Sequence, residues 1–195
     1  MIPHAECLQW VQWWASGWLG ADQSWQVEDY FSPSERALLE PASHLHHVAF
    51  ARRLGLSPGL PAKPDPVVLR LSEWNAETRS RALSLIAEIC GKDRVADLHE
   101  AELLWCRRVA KALLPGQWLP SEWAKGDPAV DGLRLLRCRL DGACWQRARL
   151  LFPRPMVEQV ESGTPETLPA AKLAALWEAV IWKNQQLWQS GERAC

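Results

Sequence analysis

The sequence carries almost no net charge: 22 basic side chains stand against 23 acidic ones, a formal net of −1. That balance removes the bulk electrostatic case for a nucleic-acid or anionic-membrane partner. No CxxC pair, GxGxxG, GxxxxGKS/T or GxSxG occurs anywhere in the chain, so neither a phosphate cradle nor a nucleophile elbow is offered. Long apolar runs are missing too. Cys7–Ala21 is uncharged for 15 residues, short of the ~20 that a membrane-spanning helix needs. The amino-terminal MIPHAEC has no basic n-region, so no cleaved secretory signal is expected. Six cysteines (Cys7, Cys90, Cys106, Cys138, Cys144, Cys195) lack metal or redox spacing in a chain long enough not to need staples, and reduced thiols in a cytoplasmic protein are expected. Tyrosine occurs once and phenylalanine three times, against thirteen tryptophans.

That tryptophan excess is the most unusual feature present. A buried indole needs a partner for its N–H, and tryptophan is enriched among interface residues that carry binding energy. Most of the thirteen are expected in the core and some at contacts. Charge is unevenly distributed along the chain. Residues 1–50 hold six acids against Arg36 alone, and residues 134–154 hold six arginines (Arg134, Arg137, Arg139, Arg147, Arg149, Arg154) against Asp141 alone. These poles either meet inside the fold or address separate partners.

Hydrophobic spacing predicts an all-α chain, a single irregular multi-helix domain with a proline-rich internal linker. Its parts are a tryptophan-rich helical region at 1–56, the linker SPGLPAKPDP at 57–66 and a main helical domain at 67–195. The first helix is expected over about Ala5–Leu19, with Cys7, Val11, Trp14 and Trp18 on one face. Ser32-Pro33-Ser34-Glu35 is a cap-then-proline start with a capping box. VVLRL at 67–71 reads as a strand or, for want of a pairing partner, a helix lead-in. Asn75 caps a helix through Cys90 that stops at Gly91. Asp93 is a cap for the next helix, in which Leu98, Trp105, Val109, Ala112 and Leu113 form an apolar stripe. Glu100, Arg107, Arg108 and Lys111 then face water or a partner. Pro115-Gly116 ends this helix, since proline lacks the amide donor and glycine tolerates left-handed dihedrals. Asp127-Pro128 starts another helix, with Leu133, Leu136 and Leu140 inward. Asp141-Gly142 is a turn before Cys144–Phe152, and Pro153 and Pro155 end that segment. Leu173, Leu176, Trp177, Val180, Ile181, Leu187 and Trp188 mark the core side of a helix over about Pro169–Gln189.

Sites for chemistry are few. His44 and His47 share a helix face, but no second ligand cluster accompanies them. His99-Glu100 begins like the zinc-protease HExxH, yet position 103 is Leu103. No metal, cofactor or catalytic residue is assigned. The arginine group reads as a solvated or salt-bridged face, a protein-docking patch or a phosphate grip.

The pattern of residues 67–189 resembles the SctK family (the YscK type, with OrgA and MxiK as distant relatives), cytoplasmic accessory subunits of bacterial type III secretion systems. A Leu-rich segment at 67–90 is followed by Leu103-Leu104 and then Pro115-Gly116-Gln117-Trp118-Leu119-Pro120-Ser121-Glu122-Trp123, in which Pro-x-x-Trp is the most characteristic part. A Leu- and Arg-rich segment ends in Leu150-Leu151-Phe152-Pro153, and a Trp/Leu-rich helix closes the chain. The resemblance implies a non-enzymatic adaptor, cytoplasmic and peripheral to the secretion apparatus at the inner membrane. Its partners would be the cytoplasmic domain of the SctD-type inner-membrane ring protein and the SctQ-type pod protein of the sorting platform, with no nucleic acid and no membrane insertion. The contacts are expected at Trp10, Trp14 and Trp18 for one partner and at Arg134, Arg137 and Arg147 for the other. A small helical nucleic-acid-binding regulator using 134–154 is the alternative.

Overall fold

The computed structural model describes residues 4–26, 48, 51–52, 54–61, 63–91, 98–120, 123 and 126–192. Among these residues every regular element is helical: α1 His4–Ser16, α2 Pro66–Glu73, α3 Ala76–Gly91, α4 Glu100–Leu113, α5 Pro128–Arg139, α6 Gly142–Ala148, α7 Arg154–Glu161 and α8 Ala170–Glu192, with short 3-10 turns between them. The all-α reading therefore holds. Ser32–Glu35, the histidines at 44–47 and the Asp93 cap lie outside the described residues.

The chain divides into two compact units, each discontinuous in sequence. One comprises 1–73 with 141–157, the other 74–140 with 158–195. The proline-rich stretch 57–66, read as a linker, runs inside the first unit. There the Ser57 amide donates to Gln146 Oε1 at 2.9 Å, and Gly59 O accepts from Trp14 Nε1 at 3.0 Å.

In the first unit, α1 packs against α2. The VVLRL segment is helix itself, not strand or lead-in. Asp65 Oδ1 accepts the amides of Val67 and Val68, which fixes the first turn and outweighs the β-preference of two valines. α1 stops at Ser16 and tightens into a 3-10 turn over Gly17–Gly20. Gly17 is required there, because a Cβ at that position would sit 2.7 Å from the Trp13 indole. The segment expected over Cys144–Phe152 starts two residues earlier. Asp141 Oδ1 accepts from the Cys144 amide at 2.8 Å, and α6 runs on into a 3-10 turn at Arg149–Leu151. Pro153 does end it, but Pro155 lies in the first turn of α7, where a missing N–H costs nothing.

In the second unit, α3 packs against α4, α5 and α8. Leu83, Leu85, Ile86, Leu133, Leu136, Leu173, Leu176, Trp177 and Val180 are buried, whereas Leu140 is half-buried. Asn75 Oδ1 accepts from the Thr78 amide at 2.8 Å and Asp127 Oδ1 from the Ala129 amide at 2.8 Å, so both expected caps are in place. Gly132 lets α5 approach α3 closely: a Cβ there would lie 3.1 Å from Leu83 O.

α4 is where the expected stripe is corrected. Its fully buried residues are Glu102 and Cys106, while Trp105, Val109 and Leu113 are half-buried and Ala112 is exposed. The inward arc is rotated because Glu102 turns in to meet Arg81. Arg81 Nη2 and Nε donate to Glu102 Oε1 at 2.6 and 3.0 Å, and Glu102 Oε2 accepts the His99 amide at 3.0 Å. A stripe drawn through apolar residues alone misses an inward carboxylate. The helix end is also corrected. Leu114, not Gly116, takes the left-handed conformation (φ 52°), and Pro115–Gln117 forms a 3-10 turn. Two side chains hold the strained carboxyl end of α4: Trp118 Nε1 and Lys172 Nζ both donate to Leu113 O, at 3.0 and 3.1 Å.

Candidate protein-contact site

Trp10, Trp14 and Trp18 belong to the core of the first unit, not to its surface, with 1, 6 and 3% of their area exposed. The Trp10 ring centre lies 5.0 Å from that of Trp13 and 5.8 Å from that of Trp14. Backbone carbonyls accept from three of the first unit's indoles, whereas the buried Nε1 atoms of Trp13 and, in the second unit, Trp177 have no hydrogen-bond partner among the described residues. Trp14 Nε1 donates to Gly59 O and Trp18 Nε1 to Ala15 O, while Trp25 Nε1 reaches Phe152 O at 2.9 Å. The apolar arc of α1 is broad because aromatic packing needs it. Besides Ala5, Gln9 and Gln12, α1 leaves Leu8 and Val11 outward, each about half exposed.

The expected arginine patch draws on both units. Arg147 lies in the first unit and Arg134 and Arg137 in the second. Arg147 is buried, and its three donor nitrogens are used: Nε to Trp14 O, Nη1 to Ala143 O and Nη2 to Ser57 O, at 3.1, 3.2 and 3.0 Å. Burial lowers its pKa. Arg134 is 42% exposed and pairs with the buried Asp131 at 3.1 Å. Arg137 Nη1 donates to Val160 O and Gly163 O at 2.5 and 2.8 Å. It thereby satisfies carbonyls left open at the end of α7 and complements the helix dipole.

Arg134 and Arg137 line a cleft of about 300 Å³ together with Trp123, Cys138, Thr164 and Glu166. Its cations are already matched, by Asp131 and by helix-end carbonyls, and Glu166 contributes an opposing charge. Burial pushes the Cys138 thiol up, which keeps it protonated and a weak nucleophile. Cys90 and Cys106 are likewise pushed up to about 12. The described cysteines (Cys7, Cys90, Cys106, Cys138 and Cys144) are unbridged. Among the described residues no group of three or more His, Cys, Asp or Glu side chains is arranged to hold a metal.

Other exposed side chains stand elsewhere in the second unit. On α4, Leu104 is 47% exposed, and Arg107, Arg108 and Lys111 share its outward side. Periodicity identifies those cations as outward-facing. It passes over Trp182, which is 54% exposed. The spacing held the signal, since Trp182 falls opposite Leu173, Trp177 and Val180 on α8, off the core side. No helix among the described residues is long and apolar enough to cross a membrane. No family model, curated protein or solved structure matches the chain.

Proposed function

We propose that the chain is a non-enzymatic adaptor of a bacterial type III secretion system, cytoplasmic and peripheral to the apparatus at the inner membrane. In this reading it links the SctD-type ring protein to the SctQ-type pod protein of the sorting platform. The observation that carries the proposal is the passage beginning at Leu103, in which the resemblance to the SctK family is densest. There α4 ends in left-handed Leu114, and the Pro115–Gln117 turn follows with Trp118 bonded back to Leu113 O. A Pro-x-x-Trp sequence used in this way has a structural reason for its spacing: the proline starts the turn and the indole closes it. The all-helical architecture is of the kind the resemblance implies.

Nucleic-acid binding through 134–154 draws less support. Arg147 is buried on backbone carbonyls, and Arg137 serves α7. Phosphate contacts need arginines that can leave water for an anion.

The test is to tag the full chain in its native cells, purify it gently and identify what accompanies it. Recovery of a ring subunit and a pod protein is the expected result. Recovery alone, or with nucleic acid that washes off in salt, overturns the proposal.

A further inference from the structure

We propose that the outward face of α4 docks an acidic amphipathic helix of a partner protein. The proposal rests on the adaptor reading only in taking the partner to be a protein. α4 turns Glu102 and Cys106 inward, so at helical spacing Leu104, Arg107, Arg108 and Lys111 occupy the opposite arc. Leu114 follows immediately beyond the helix end. Leu104 and Leu114 expose 47 and 44% of their area, and Arg107, Arg108 and Lys111 are exposed. Among the described residues neither Arg108 nor Lys111 has an ion-pair partner. The face is therefore a row of three cations bounded by Leu104 and Leu114, with the exposed Glu100 carboxylate one turn before Leu104.

Charge complementarity decides the occupant. A row of cations one helical turn apart, about 5 Å along the axis, matches carboxylates at the same spacing on a second helix. Leucines at either end would seat aliphatic side chains between those carboxylates. Nucleic acid offers phosphates to the row but nothing to Leu104 or Leu114. An anionic membrane surface requires a wide apolar arc to bury, and this face has only isolated leucines.

The face is also firmly built. Lys183 lies 6.0 Å over the Trp105 ring at its edge, and Arg81 holds Glu102 from beneath. Charges carried on a rigid helix are already in position, so docking loses little side-chain and backbone freedom.

The test uses the full chain and a labelled synthetic helix bearing Glu and Leu at one-turn spacing, followed by fluorescence anisotropy. The expected result is saturable binding that weakens by about tenfold or more in R108E/K111E and less in L104A. A peptide with Lys in place of Glu should restore binding to R108E/K111E. All substituted side chains are exposed, so the helical circular-dichroism spectrum and melting should stay as in the wild type. No binding by the wild-type chain, or equal binding by R108E/K111E, overturns the proposal. So does preferential binding of a duplex oligonucleotide or of phosphatidylserine vesicles that the same variants abolish. The tagged wild-type chain in native cells, set beside the peptide result, separates the two readings. Peptide failure with ring and pod subunits still recovered by the wild type removes only the α4 surface. Peptide binding without those subunits removes only the secretion-system reading.

Discussion

The guanidinium carbon of Arg147 lies 3.9 Å from the centre of the Trp14 ring, and its Nε donates to the Trp14 carbonyl at 3.1 Å. One arginine thus grips both the face and the backbone of a tryptophan 133 positions away in the chain. Cation–π attraction and charge-assisted hydrogen bonds act together there. Arg147→Met should destabilise the first unit by on the order of 3 kcal/mol, because three carbonyls lose their donor. Arg147→Lys should recover little of that, since one ammonium cannot reproduce the planar fork. Urea unfolding followed by circular dichroism measures both. Equal stability of the methionine variant would show the contact to be incidental.

Trp10 should behave as a core residue. It is 1% exposed, and Trp10→Ala should cost about 3–5 kcal/mol, the usual range for removing a large buried aromatic side chain. Any partner lost by that variant should return when the chain is stabilised by an osmolyte, which restores burial without replacing the indole. Thermal melting and pull-down in sucrose check the two halves of this prediction.

Glu102 is 3% exposed and Arg81, which meets it, 35%. Glu102→Ala leaves the guanidinium and the His99 amide without their acceptor, and a loss of about 1.5–3 kcal/mol is expected. Arg81→Met/Glu102→Gln should lose less than the sum of the single changes. Additive losses in that cycle would mean the pair contributes no coupling.

Gly132→Val should destabilise the second unit by about 1–3 kcal/mol. The atom a Cβ would meet is a backbone carbonyl of α3, Leu83 O at 3.1 Å, which cannot swing away as a side chain would. An unchanged melting temperature would show that α3 and α5 separate at no cost.

Burial pushes the Cys90 and Cys106 thiols from 9.0 up to about 12, with nearby Glu88 and Glu102 adding to the rise at Cys106. An unfolded thiol ionises near 9, while the folded one stays protonated. Their contribution to stability is whole below pH 9 and is lost as pH climbs from about 9 towards 12. Alkaline unfolding curves should therefore flatten in Cys90→Ala/Cys106→Ala. Identical slopes for variant and wild type would place both thiols in contact with water.

Local chemistry determined much of the fold. Asn75, Asp127 and Asp141 cap helices because a side-chain oxygen beside free amides needs nothing distant, and the apolar spacing on α3, α5 and α8 states which side faces inward. The outward cations of α4 are readable for the same reason. The VVLRL segment was less legible, since its valines suit a strand and only the Asp65 cap and packing against α1 settle it as helix. The tertiary structure alone decided that Glu102 turns inward, because the reason is Arg81 on another helix. It alone put Trp10, Trp14 and Trp18 in the core, where the carbonyls that accept indole N–H groups include Gly59 O from a stretch that looks like a linker. It alone divided the arginines of 134–154 between two units, since the chain passes from one unit to the other between Leu140 and Asp141. Composition counts charges and aromatics, but whether each one is available to a partner depends on what the rest of the fold has already bonded to it.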